Sequence, residues 1–222
     1  MFEKNFEFLT AEEVSRIRKT KAAVVGLGAL GQTAAQELVR AGFEELILVD
    51  GDCMDPGNLN RQLYADILTM GQPKTQVVCE RLGDISPRLK ITEHTEFLNP
   101  ENGERLLKGA DLLLDCVDNI PTKQYLEKLA GTLGIPLIHG AVEGWCGQAA
   151  VIFPGERLME VLYQNKVEQE TSALVMTVNV IASVQAAEAL KIAAGRECAL
   201  RQKIFCADLL NEEFQAIPVS YE

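Results

Sequence analysis

The chain has 222 residues, of which 47% are hydrophobic and 24% charged, with a formal net charge of −11. That length can bury a core of ordinary domain size, and that balance excludes a disordered chain. The acidic charge argues against a general nucleic-acid or anionic-membrane binder.

Residues 1–10 are mixed aromatic, acidic and polar, without a signal-peptide pattern. The most apolar long stretch, 173–195, is interrupted by Asn179, Gln185, Glu188 and Lys191, so it is expected to be a core helix and not a membrane span. Cysteines at 53, 79, 116, 146, 198 and 206 include no C-x-x-C pair. Reduced packing thiols in a cytoplasmic protein are expected, and no zinc. No repeat or linker divides the chain, which predicts a single unit. Its parts are an N-terminal helical segment (1–20), a nucleotide-binding core (21–153) and a C-terminal helix and hairpin (154–222).

The first predicted element is a short helix with Thr10 as N-cap and Glu12 and Glu13 in its first turn. Arg16, Arg18, Lys19 and Lys21 then cluster before the first strand. They read first as a solvated helix end whose cations offset the dipole, and second as a phosphate contact. The apolar run Ala22-Ala23-Val24-Val25 passes into Gly26-Leu27-Gly28-Ala29-Leu30-Gly31. A helical pattern follows through Ala34, Leu38 and Val39, with Gly42 as C-cap, and a second strand over 46–49 ends on Asp50. Strand, glycine turn, helix and strand make the mononucleotide-binding half of a doubly wound sheet. Gly26 and Gly28 let the backbone approach a phosphate, and the helix presents free N–H groups to it. Asp50, about 20 residues beyond the glycines, is placed to accept hydrogen bonds from ribose hydroxyls.

The next loop is more specific. A dehydrogenase needs a ribose-binding acid here and little else, whereas this loop adds Asn58, Asn60, Arg61 and Gln62, then Gly71-Gln72-Pro73-Lys74. These donors suit a triphosphate, so the site reads as one for ATP. Arg61 offers a planar fork that matches phosphate oxygens. Lys74 falls in the first turn of a helix predicted over 73–82 and ending before Gly83. There its charge and the dipole both attract anions. Asp52 is a weaker candidate, beside the ordinary turn chemistry of Asp55-Pro56-Gly57.

A third strand is expected from Ile91 and a helix over 100–108. A buried parallel strand within 111–119 then places Asp118 and Asn119 at its carboxyl end, where ligands gather. Asp118 can hold Mg²⁺ against the phosphates; the alternative is a helix N-cap ahead of Pro121, a role open to Asn119 as well. A helix over 121–133 leads to a strand at 136–139, with His139 at its tip as hydrogen-bonded structure more than as catalyst. Glycine-rich 140–147, containing Trp145 and Cys146, either approaches an extended peptide or turns the chain into a strand over 148–153. Residues 154–170 show only an apolar patch at 159–163. A long core helix over 172–194 and two strands, 203–207 and 214–219, complete the chain as a terminal hairpin. The predicted fold is α/β: a Rossmann-like doubly wound, mostly parallel sheet, helices on both faces, and a C-terminal β-hairpin extension.

With these residues in hand, 20–195 resembles the ThiF/MoeB/HesA family, prokaryotic relatives of ubiquitin-activating enzymes. The resemblance rests on five blocks in order: the glycine loop, Asp50-Gly51-Asp52, Asn58-Leu59-Asn60-Arg61-Gln62, Gly71-Gln72-Pro73-Lys74 and Asp115-Cys116-Val117-Asp118-Asn119. It implies an adenylyltransferase that binds Mg-ATP and the Gly-Gly tail of a ubiquitin-like sulfur carrier, in thiamine- or molybdopterin-type sulfur metabolism, and acts as a homodimer. Carried across, Gly26 and Gly28 approach the nucleotide, Asp50 takes the ribose, Asn58, Arg61 and Lys74 hold the phosphates, and Asp118 serves the metal beside Asn119.

Three departures stand out. The family's paired C-x-x-C zinc cysteines are missing, and Phe2-Glu3-Lys4-Asn5-Phe6 stands where many relatives have an Arg-Tyr-x-Arg-Gln segment reaching the partner's ATP. Arg16 or Arg18 is a candidate substitute, and Phe2, Phe6 and Phe8 would suit a dimer contact. Residues 154–171 hold no cysteine for a thioester, so adenylate-only chemistry is expected. Two other readings are a non-catalytic nucleotide- or carrier-binding scaffold and an NAD-dependent oxidoreductase, in which Asn58, Arg61 and Lys74 have no clear task.

Overall fold

The computed structural model of the chain describes residues 3–164 and 172–219. Among them β1 (Lys21–Val25), β2 (Glu45–Val49), β3 (Lys90–His94), β4 (Leu112–Asp115) and β5 (Leu137–Glu143) pair in parallel. Then β6 (Cys146–Ile152), β7 (Lys203–Asp208) and β8 (Glu213–Pro218) continue the sheet antiparallel, giving the order β3-β2-β1-β4-β5-β6-β7-β8. The order reverses between β1 and β4, so a crevice opens at their carboxyl ends.

Side chains alternate across a strand, and here both faces are buried. Ala22 and Val24 of β1 enter one core with α2 (Ala29–Ala41), α3 (Lys74–Ile85) and α7 (Val175–Ala194). Ala23 and Val25 enter the other, against α4 (Gly103–Leu106), α5 (Ile120–Leu133) and α6 (Leu158–Tyr163). At the amino edge α1 (Ala11–Lys19) begins with the expected capping box: Thr10 Oγ1 accepts from Glu13 N, and Glu13 accepts from Thr10 N at 2.7 Å. Gly42 closes α2 at φ +110°, a left-handed position suited to glycine. Helix α7 is long and apolar enough to cross a membrane by length and composition alone. It lies against α2 and the sheet, with Thr177, Gln185 and Glu188 buried.

Several expectations change. Helix α3 runs through Gly83 to Ile85, because nothing crowds or kinks the chain there and the break comes at Ser86-Pro87. The helix expected over 100–108 shrinks to the single turn α4, since Asn99 and Asn102 side chains bond the preceding backbone into turns. His139 is not a strand tip: β5 continues to Glu143, and β6 follows after Gly144 and Trp145. Glycines 140 and 147 serve the approach of α7, for a Cβ on Gly140 would stand 2.5 Å from Gln185 and one on Gly147 2.4 Å from Ile181. The apolar patch at 159–163 forms α6, while 165–171 lie outside the described residues. The terminal hairpin forms as expected from β7 and β8.

Candidate active site

The residues singled out from the sequence converge on one cleft of about 1000 Å³ at the carboxyl edge of the sheet. Gly26, Gly28, Asp50, Asp52 and Asn58 line it, as do Arg61, Gln62, Lys74, Asp118 and Asn119.

The glycine loop is built by close packing. Gly26 has φ +87°, and a Cβ there would stand 2.7 Å from the Cys116 carbonyl oxygen. A Cβ on Gly31 would stand 1.8 Å from the Gly26 carbonyl oxygen, so α2 can begin only where that glycine lets it touch the loop. Gly28 is the N-cap of α2 and supplies no side-chain cap, which leaves the first N–H groups of the helix facing the crevice. Asp50, just beyond β2, fixes this loop: Oδ2 accepts from Leu27 N at 2.5 Å and Oδ1 from Asp52 N at 2.7 Å. Burial raises its carboxyl, and the Lys74 charge opposes that shift.

Lys74 opens α3 after Pro73, and its Nζ donates to Asp52 Oδ2 at 2.8 Å. The lysine is buried while the aspartate is half exposed. Its backbone N also donates to Asp52 O, so the two segments are held together twice. Asn58 uses its carbonyl oxygen to close the turn, accepting from Asp55 N at 3.1 Å. Arg61 donates to Gly57 O and Asn60 Oδ1, both at 2.9 Å, and takes no carboxylate within ion-pair distance among the described residues. Gln62 is buried, and its Oε1 accepts from Gln32 Nε2 at 2.9 Å. Gln32 also binds Leu27 O and Tyr64 N, so Gln62 works first as an anchor between loop and α2.

Across the crevice Asn119 is the N-cap of α5, accepting from Thr122 N at 2.9 Å. Asp118 is thereby left out of capping. It is exposed in the cleft, and its carboxylate takes no hydrogen bond among the described residues. A free hard-oxygen donor of this kind fits a magnesium ion carried by a polyphosphate.

Sequence reasoning gave His139 as hydrogen-bonded structure, which it is, but missed the network to which it belongs. Lys123 of α5 is buried, and its Nζ contacts both Asp115 oxygens at 3.1 Å and Gly140 O at 2.9 Å. His139 Nδ1 meets Asp115 Oδ2 at 2.7 Å, and its Nε2 meets Gln148 Nε2 and the Tyr163 hydroxyl. Burial alone would raise the Asp115 carboxyl, but Lys123 and His139 hold it below the usual range. Burial pushes His139 down in turn, so the ring is neutral, with Nδ1–H donating to the carboxylate and Nε2 accepting. The one available signal was a lysine in a helix's first turn, where the dipole disfavours a cation. Arg16 and Arg18 lie at the opposite, amino edge: Arg16 donates to Ala194 O and Glu12, and Arg18 pairs with Glu44.

Fold and cleft together define a doubly wound α/β protein with a nucleotide-type glycine loop at its switch point. The sequence matches the ThiF family over residues 3–222, and the chain belongs to that family. It is 32% identical over 219 residues to the molybdopterin-synthase adenylyltransferase of Salmonella typhimurium, covering 96% of this chain and 87% of the relative. With the sulfur carrier protein adenylyltransferase of Thermus thermophilus it shares 30% identity over 223 residues, covering 94% and 82%. The crystal structure of E. coli MccB with ATP superposes with a TM-score of 0.86 at 17% identity, over 99% of this chain and 71% of that one. Of another solved chain with this fold, PaaA, it spans 66% of the length.

Proposed function

We propose that the chain catalyses ATP-dependent adenylylation of the C-terminal Gly-Gly carboxylate of a ubiquitin-like sulfur carrier protein. A carboxylate oxygen of the carrier attacks the α-phosphorus. The new O–P bond forms as the bond from that phosphorus to the bridging oxygen breaks, and pyrophosphate leaves with the electron pair. Positioning and charge neutralisation suffice for this step, so no protein nucleophile is needed. The two adenylyltransferase relatives support the reaction class and the kind of partner.

In this reading Gly26, Gly28 and the start of α2 receive the nucleotide, and Asp50 takes the ribose with the lone pairs its backbone bonds leave. Asn58, Arg61 and Lys74 hold the phosphates, the two cations neutralising their charge and the Asn58 amide donating to them; Asp52 orients Lys74, and Gln62 supports the loop. Asp118 would hold Mg²⁺, which supplies further neutralisation when bound. The observation that carries the proposal is the charge of Arg61, which lines the cleft with no carboxylate within ion-pair distance among the described residues.

We also propose a homodimer, supported by exposed apolar residues such as Phe8, Ile67 and Leu68. The acidic charge and the free thiols support a cytoplasmic, single-unit protein that binds neither membrane nor nucleic acid. Carrier-dependent ATP–pyrophosphate exchange with a purified protein ending in Gly-Gly tests the activity. Exchange that requires the terminal carboxylate is expected. Tight NAD binding without response to Mg-ATP would overturn the proposal, and ATP or carrier binding without turnover would leave a scaffold.

A further inference from the structure

Asp118 sits on a short loop between β4 and α5 with no hydrogen bond of its own carboxylate among the described residues. Something else must fix it. The loop's start is tied by Val117 N, which donates to Asp115 Oδ1 at 3.2 Å. Its end is tied by the Asn119 cap and by Lys123 N, which donates to Asn119 O at 3.2 Å. Lys123 then joins the two ends, because its Nζ returns to the Asp115 carboxylate and also reaches Gly140 O on β5.

The donor count excludes a direct role for this lysine. An ammonium has three protons, and two carboxylate oxygens and one carbonyl stand within 3.1 Å of it. Asp115 is equally occupied, receiving Val117 N, Lys123 and His139. A buried cation in the first turn of a helix opposes the dipole, and burying two charges carries a desolvation cost. The fold nevertheless places this pair directly under the loop that presents Asp118.

We propose that Lys123, clamped between the Asp115 carboxylate and the Gly140 carbonyl, is the positioning residue that holds Asp118 where it meets Mg²⁺ on the ATP phosphates. It makes no contact with the nucleotide itself. The inference rests on the assignment of Asp118 to the metal, and its signature is a loss of the magnesium-dependent part of ATP binding alone.

Calorimetric titration of ATP into the full chain, in MgCl₂ and in EDTA, separates the possibilities. In the wild type MgCl₂ strengthens binding, and Asp118→Ala removes that gain. Lys123→Met is expected to weaken binding in MgCl₂ about tenfold, as loss of a metal ligand's support does, and to leave the EDTA value unchanged. Lys123→Arg, which keeps the cation, restores the gain. Circular dichroism and a thermal melt establish folding, and should Lys123→Met not fold, the charge-balanced double variant Asp115→Asn with Lys123→Met takes its place. The proposal is overturned if the folded variant keeps the full magnesium gain while Asp118→Ala loses it, or if EDTA binding falls equally. Failure of both variants to fold overturns it too, since the pair is then a folding element only. A wild type without any magnesium gain, or an Asp118→Ala that keeps it, removes the underlying metal assignment and this inference with it.

Discussion

Arg61 is the one cation lining the cleft that meets no carboxylate within ion-pair distance among the described residues, since Lys74 pairs with Asp52 and Lys123 with Asp115. A guanidinium left without a carboxylate in a cleft is suited to an anionic ligand. Arg61→Ala is expected to lower carrier-dependent ATP–pyrophosphate exchange about a hundredfold, the usual cost of one preorganised transition-state donor, with an unchanged melting curve. Unaltered exchange would remove Arg61 from the site. His139 supports a different prediction. Its pKa in the fold lies below the ordinary value of 6.5, so below that pH the unfolded chain binds the extra proton first. Stability is therefore complete above that value and falls as pH drops from it toward the depressed folded pKa. Urea midpoints measured from about pH 8 to pH 5 should decline on this leg, and His139→Gln should flatten it.

At the scale of elements, the glycine turn and the start of α2 are set by contact distance. With 1.8 Å between a Gly31 Cβ and the Gly26 carbonyl oxygen, Gly31→Ala must push α2 off the loop. A loss of about 3 kcal/mol or more is expected in urea unfolding, together with weaker ATP binding. The capping box of α1 gives a milder case. Thr10→Ala removes one side of it and should cost about 1 kcal/mol without touching exchange, because α1 stands at the amino edge. Helix α7 shows an element doing two tasks. Its Gln185 Nε2 donates to Asp115 O at 2.9 Å and Ile138 O at 3.1 Å, so one buried amide clips the end of β4 to the first residues of β5. That clip lies just below the Asp115 network and keeps the cleft floor in register.

The whole molecule separates two edges of one sheet. The carboxyl edge carries the cleft, and the amino edge gathers Arg18, Lys21, Arg88 and Lys90 around Glu44 and Glu45. Exposed pairs of this kind contribute little to stability, but they give Arg18 local partners. Arg16 is likewise engaged, with Ala194 O and Glu12. Alanine at both positions should therefore leave exchange within about twofold, a change below any specific catalytic loss. A larger loss would show that these arginines serve the cleft of a second copy. Sedimentation velocity checks the dimer itself: Ile67→Asp with Leu68→Asp, at two strongly exposed apolar positions, should shift the protein toward monomer.

How much was legible follows from which forces are local. Glycine spacing, β-branched runs, the Thr10 cap and the five ordered blocks are short-range signals, so the doubly wound sheet, the terminal hairpin and the residues lining the cleft could be read from residues alone. Proximity in sequence also brought Asp118 and Asn119 together, although only the helix geometry decided that Asn119 is the cap while the Asp118 carboxylate takes no hydrogen bond among the described residues. The buried network joins residues 115, 123, 139, 148 and 163, contributed by β4, α5, β5, β6 and α6. No local pattern encodes a partner several elements away. The same holds for glycines 140 and 147, which suggest a peptide-binding loop until α7 is seen packed over them. By itself the sequence determined the class of fold and which residues line the cleft, because strand ends and glycine turns depend on local backbone conformation. The tertiary structure decided which charges are paired and which stand without a partner among the described residues, because burial and pairing are properties of the assembled sheet.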